Sequence, residues 1–118
     1  MEHNHEIREE LRQPAIDLRH EIPDVLRAFA DLSKAAMAEG ALSSQFKELL
    51  ALAIAATREC DGCIVAHARG AARLGATRQQ VAEVLGVVIL MNGGPGTVWG
   101  PRALRAFDEA LAVREPTA

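Results

Sequence analysis

The stretch Glu59-Cys60-Asp61-Gly62-Cys63-Ile64-Val65-Ala66-His67 brings two thiols and an imidazole close together in the chain. Cys63 follows Cys60 at i+3, and His67 follows Cys63 at i+4, so on a helix all three side chains share one face. A Cys-x-x-Cys pair at a helix start lets the sulfurs close a tight disulfide, and the free backbone N–H groups there stabilise a thiolate. This is the chemistry of a redox dithiol. A histidine one turn beyond Cys63 can take its proton or, once protonated, hold the thiolate by charge, as a nucleophilic sulfur near neutral pH requires.

Two other readings of these residues stay open. Cys60, Cys63 and His67 could ligate zinc, but a tetrahedral structural site needs a fourth ligand, and the chain has no second Cys-x-x-Cys and no His-x-x-x-His. The cysteines could instead be small core residues and His67 a satisfied interior histidine. Glu48 is a candidate fourth member, a single acid on an otherwise apolar helical segment. In a simple antiparallel hairpin turning near Cys60, Glu48 would lie opposite Ala72, so contact with His67 would need a steep crossing angle or a bridging water. His3 and His5 sit in a charged terminal segment and are assigned no role.

The elements that must position these groups read as helices. Pro23 opens an amphipathic segment that places Leu26, Phe29, Ala30, Ser33 and Met37 on one face and stops at Gly40. Ser43 or Ser44 can cap a second helix with a stripe of Phe46, Leu49, Leu50, Ala53, Ile54 and Thr57. A third runs from about Asp61 to Leu74, with Gly75 as its left-handed end. Thr77 and Gln80 form a capping box for a fourth, Arg78 to about Met91, which is apolar on nearly every side toward its end and calls for neighbours all round. The cluster Asn92-Gly93-Gly94-Pro95-Gly96 has no Gly-Lys-Ser/Thr and no preceding strand, so it reads as a turn and not as a phosphate loop. A fifth helix is expected over about Pro101 to Arg114. Residues 1–22 read as an N-terminal arm or short helix before the helical domain 23–118.

Composition narrows the function classes. The 118 residues include 13 basic and 16 acidic side chains, a net charge of −3, so the positive field that drives nucleic-acid binding is missing. With 49% hydrophobic and 25% charged residues the chain is of globular composition. Its longest apolar run, Val84 to Met91, falls far short of the roughly 20 residues of a membrane span. The N-terminus carries charges where an export signal would carry an apolar run, and two cysteines three apart staple almost no chain, so a cytoplasmic protein with chemical use for its thiols is expected. Aromatics make up only 3%, which favours alanine-packed helices over sheet.

Glu48, the Cys60-x-x-Cys63-x-x-x-His67 motif, Gly75-Ala76-Thr77 and Asn92-Gly93-Gly94-Pro95 together resemble the alkylhydroperoxidase D-like proteins of the carboxymuconolactone decarboxylase family. The resemblance covers about Pro23 to Leu111. The helices read above make an all-α bundle of about five, and the resemblance implies an all-α fold whose subunits associate as trimers or hexamers. It also implies a thiol peroxidase or disulfide reductase, with Cys63 attacking peroxide, Cys60 resolving, and His67 and Glu48 relaying protons. The partners would be a small hydroperoxide and an external dithiol donor, with no cofactor and no metal. The best-matched peroxidases carry a second histidine just before the second cysteine; this chain has Gly62 there. The decarboxylase branch of the family, which has no need of paired thiols, and a non-catalytic oligomeric module with buried thiols are the alternatives.

Overall fold

Alanine at the contact positions lets helix axes approach closely, and the computed structural model, which describes residues 2–114, is built of helices throughout. There are six: α1 (Glu2–Glu21), α2 (Pro23–Met37), α3 (Ser44–Thr57), α4 (Asp61–Arg73), α5 (Arg78–Asn92) and α6 (Gly94–Arg114). The core is made by the last four. Leu49, Leu52, Ala55 and Ala56 of α3 meet Ile64, Ala68, Ala71 and Ala72 of α4, Val81, Leu85 and Val88 of α5, and Ala103, Ala106 and Phe107 of α6. Phe107, Leu52, Ile64 and Val81 are the largest wholly buried side chains, and burial of each contributes roughly 1.5–3 kcal/mol. Arg78 and Asp108 join the start of α5 to α6 through two hydrogen bonds of 2.9 and 3.1 Å.

The helix count and several boundaries differ from those expected. The N-terminal segment is a 20-residue helix that continues through Pro14. Pro14 cannot donate to the Glu10 carbonyl, but Glu10 is exposed, so solvent can serve that oxygen. The expected divisions 1–22 and 23–118 each reach an end outside the described residues. Helix α2 stops at Met37, short of Gly40, because its last carbonyls are taken from α3: Ser44 Oγ donates to Met37 O, and Lys47 Nζ donates to Ala36 O and Ala38 O. None of its residues is buried, so the predicted apolar face of α2 lies on the surface of the single chain.

Helix α3 also turns differently. Ser43 caps it, its Oγ accepting from Phe46 N at 3.0 Å. Of the expected stripe only Leu49 is buried, whereas Phe46, Leu50 and Ile54 are exposed and Leu52, Ala55 and Ala56 face the core. A helix apolar on two sides satisfies the period on either, and packing against α4 and α5 decides. The last helix begins at Gly94, not Pro101. Only Gly93, at φ +67°, makes the turn, and Gly96 lies against α5 where a Cβ would come within 2.7 Å of Ile89 Cα. The glycine cluster thus serves a close α5–α6 crossing as well as a turn. The Thr77–Gln80 capping box and the Gly75 end of α4 form as expected. Among the described residues no helix is long and apolar enough to cross a membrane.

Candidate active site

The α3–α4 junction fixes Cys60 from three directions. Helix α3 ends in a pair of reversed hydrogen bonds, Glu59 N to Ala56 O and Cys60 N to Ala55 O, both 3.1 Å, with Glu59 in the left-handed region at φ 55°. The same closing pattern ends α4 at Gly75, where glycine adopts that conformation without penalty; at Glu59 it costs roughly 1–2 kcal/mol. Cys60 is then the N-cap of α4: its carbonyl accepts from Ile64 N at 2.9 Å and its Sγ from Cys63 N at 3.3 Å. One residue therefore finishes one helix and starts the next.

The sulfurs of Cys60 and Cys63 are joined in a disulfide, with Cα atoms 5.3 Å apart. Cys60 is half-buried and Cys63 is exposed. One turn further along α4, His67 Nδ1 lies 2.8 Å from Glu48 Oε1. The contact between helices is direct. The other carboxylate oxygen of Glu48 lies 3.9 Å from the Arg73 guanidinium. With the carboxylate ionised it can only accept, so the proton sits on Nδ1 and Nε2 is left as the basic nitrogen. Glu48 is buried, at 8% exposure, and its charge is met by partners on both oxygens.

Gly70 makes this burial possible. A Cβ on Gly70 would overlap the Glu48 carboxylate at both oxygens and at Cδ. The carboxylate therefore lies on bare α4 backbone, between His67 one turn before and Arg73 one turn after. Neither Gly70 nor Arg73 belongs to the residues singled out from the sequence. The available signal was a glycine in the middle of an otherwise helical pattern, which costs helix stability and so has a packing reason. Gly62 lies under α1, where a Cβ would meet Leu11 Cδ1 at 3.4 Å. His3 is 3.7 Å from Asp61 at the surface, and among the described residues no three His, Cys, Asp or Glu side chains converge as a metal site.

The model of the carboxymuconolactone decarboxylase family matches residues 23–109. A Cupriavidus necator protein named only as uncharacterized is 44% identical over 86 residues, covering 73% of this chain and 76% of its own length. A Paracoccus denitrificans protein, "uncharacterized protein 4 in cox locus", is 40% identical over 82 residues, 70% of this chain and 74% of that one. Among solved structures, the apo form of a carboxymuconolactone decarboxylase family protein from Legionella pneumophila superposes with a TM-score of 0.90 at 34% identity, covering 94% of this chain and 99% of that chain.

Proposed function

Because the chain belongs to the carboxymuconolactone decarboxylase family and sets a Cys-x-x-Cys pair beside a Glu48–His67–Arg73 network, we propose that it is a thiol-dependent peroxidase or disulfide oxidoreductase of the alkylhydroperoxidase D-like kind. The observation that carries this reading is the pairing of an exposed Cys63, bonded to the capping Cys60, with a histidine whose Nδ1 is held by a buried carboxylate. Neither a structural core cysteine nor a passive interior histidine calls for that arrangement.

In the reduced protein, His67 Nε2 takes the Cys63 thiol proton and the thiolate attacks the terminal oxygen of a small hydroperoxide. The O–O bond breaks, Cys63 becomes a sulfenic acid, and the departing alkoxide takes the proton from His67 and leaves as an alcohol. The Cys60 thiolate then attacks Cys63 Sγ and expels hydroxide, which leaves as water with the proton that Cys60 gave up. The balance is one hydroperoxide and two thiols to one alcohol, one water and one disulfide. An external dithiol restores the pair by exchange. Glu48 keeps the imidazole in the tautomer that exposes Nε2. Gly62 supplies no second relay group, which favours modest peroxide turnover or a disulfide acceptor. The protein acts as a cytoplasmic homo-trimer or homo-hexamer in this reading.

Titration of free thiols before and after equimolar hydroperoxide tests it. Loss of two thiols per chain without disulfide-linked species of higher mass is the expected result. Thiols that stay inert would make the chain a non-catalytic helical module.

A further inference from the structure

A second feature of the chain has no part in the thiol chemistry. Helices α1, α4 and α6 enclose an open cavity of about 260 Å³. Its wall is apolar where Val65 of α4 faces Ala106, Ala110 and Val113 of α6. Two guanidinium groups complete the lining, Arg8 of α1 and Arg69 of α4, the latter one turn beyond Val65. Among the described residues neither has a carboxylate within ion-pair distance. Burial, followed by the charges of Arg8 and Arg73, pulls the Arg69 guanidinium below its ordinary range.

The one acid lining the cavity does not relieve them. Glu109 Oε1 accepts from Asn4 Nδ2 at 2.9 Å and Oε2 from Arg105 Nε at 3.3 Å, so both oxygens are engaged elsewhere. His5, the remaining titratable group on the lining, adds positive charge when protonated. Helical neighbours at Arg8 include Glu9 and Arg12, which line the adjoining hollow toward Gly62.

We propose that this cavity is a binding site for a small amphiphilic anion, a carboxylate with a short apolar chain, whose head group lies between Arg8 and Arg69 and whose chain lies on Val65, Ala110 and Val113. Guanidinium groups match a carboxylate through paired N–H donors, and an anion there would lift the mutual repulsion of the two arginines. The apolar wall excludes a bare inorganic anion as the best fit, because most of the lining would then be wetted hydrocarbon. The volume lies at the small end of ligand pockets, near roughly 300 Å³, which sets the chain short.

Octanoate is the probe, added to the uniformly ¹⁵N-labelled full chain at fixed ionic strength, with 1-octanol as the uncharged analogue and acetate as the chainless one. Octanoate should give saturable amide shifts at Val65, Ala110 and Val113, while acetate binds far more weakly. The double substitution Arg8→Gln/Arg69→Gln should weaken octanoate by about tenfold or more and leave 1-octanol unchanged. In the unsubstituted protein, added salt should weaken octanoate and not 1-octanol, a readout that does not depend on the variant folding. Octanoate shifts that fail to saturate or map elsewhere would overturn the proposal, as would equal affinity in the double variant or salt-independent binding. None of these readouts involves the thiols, so they stand or fall apart from the redox reading.

Discussion

The Glu48 carboxylate occupies the space that a side chain at Gly70 would fill. Replacing Gly70 with alanine should therefore dislodge Glu48 from His67. Overpacking costs roughly 1–3 kcal/mol, offset in part by the about 1 kcal/mol by which alanine exceeds glycine in a helix. The informative comparison is with the double variant. Removing the carboxylate as well, in Gly70→Ala/Glu48→Ala, frees the space, so its urea midpoint should lie above that of Gly70→Ala alone. A lower midpoint for the double variant would show that the two residues do not compete for the same volume.

The same carboxylate should set the reactivity of Cys63. Glu48 Oε1 on Nδ1 orients the ring, and once Nε2 has taken the Cys63 proton the carboxylate stands beside the charged imidazole and steadies the thiolate–imidazolium pair. Glu48→Gln keeps the size and removes the charge, so alkylation of reduced Cys63 should shift to higher pH and peroxide reactivity near neutrality should fall. Loss of an acid–base partner costs roughly 10²–10⁴-fold, and an orienting group should cost toward or below the lower end. His67→Ala should shift the profile further than Glu48→Gln. A profile unmoved by Glu48→Gln but moved by His67→Ala would confine Glu48 to structure, and one moved by neither would leave activation to the helix terminus alone.

How far the sequence could be read depended on whether a signal was local. Caps and breakers are local: Ser43, Thr77 with Gln80, and Gly75 all form where their chemistry places them. So is the Cys60–Cys63–His67 spacing on α4. Glu48 was different, because its distance from His67 depends on how closely two helices approach, and that is set by the missing Cβ of Gly70. A hairpin drawn at ordinary separation puts Glu48 opposite Ala72; the close approach and the reach of the side chain bring it to His67. The start of α6 was missed for a related reason. Glycine and proline read as breakers, yet Gly96 is retained for a close helix crossing, a tertiary demand that local propensity does not register. Likewise, the period of α3 fits two faces, and only its neighbours select the one that carries Leu52.

The two sulfurs should divide their work by exposure and by distance from His67. Cys63 is the more exposed and lies one turn from His67; Cys60 is half-buried and fixed as the helix cap. In Cys60→Ser, peroxide should still oxidise Cys63 and leave it as a sulfenic acid that a dimedone adduct captures by mass. In Cys63→Ser the initial oxidation should nearly vanish. The reverse pattern would mean that proximity to the N–H groups of α4 outweighs the histidine.

Acid should release α1 before the rest of the bundle. Burial alone would raise the Glu109 carboxyl, but hydrogen bonds, those from Asn4 and Arg105 among them, outweigh it and hold the group below its ordinary range. A carboxyl lowered in the folded state contributes stability that is full above the unfolded value, about 4.3, and is lost as pH falls through the lower folded value. Asn4 is the α1 partner of that carboxylate, so hydrogen-exchange protection in α1 should fall below about pH 4 while α3 to α6 stay protected. Glu109→Gln should flatten this dependence. Loss of protection in all helices at one pH would instead tie α1 to the global transition.

Three apolar stripes remain uncovered in the single chain, and their spacing makes each a continuous helical face. Val25, Phe29 and Leu32 line α2, Phe46, Leu50 and Ile54 line α3, and Val87, Leu90 and Met91 line α5. Phe29 at 66% exposed and Leu90 at 78% are hydrophobic surface of a kind that soluble monomers rarely leave in contiguous patches. Another copy of the chain is the expected cover, and sedimentation at micromolar concentration should give a mass above that of one chain. Neither Phe29 nor Leu90 belongs to the intramolecular core, so Phe29→Asp and Leu90→Asp together should shift the protein toward monomer while helical circular dichroism is retained. Neutral exposed sites would change stability by about 0.5 kcal/mol or less, so a large loss of helix in these variants would itself show that association sustains the fold. A wild-type protein that sediments cleanly as a monomer would refute the association and leave these stripes without a function.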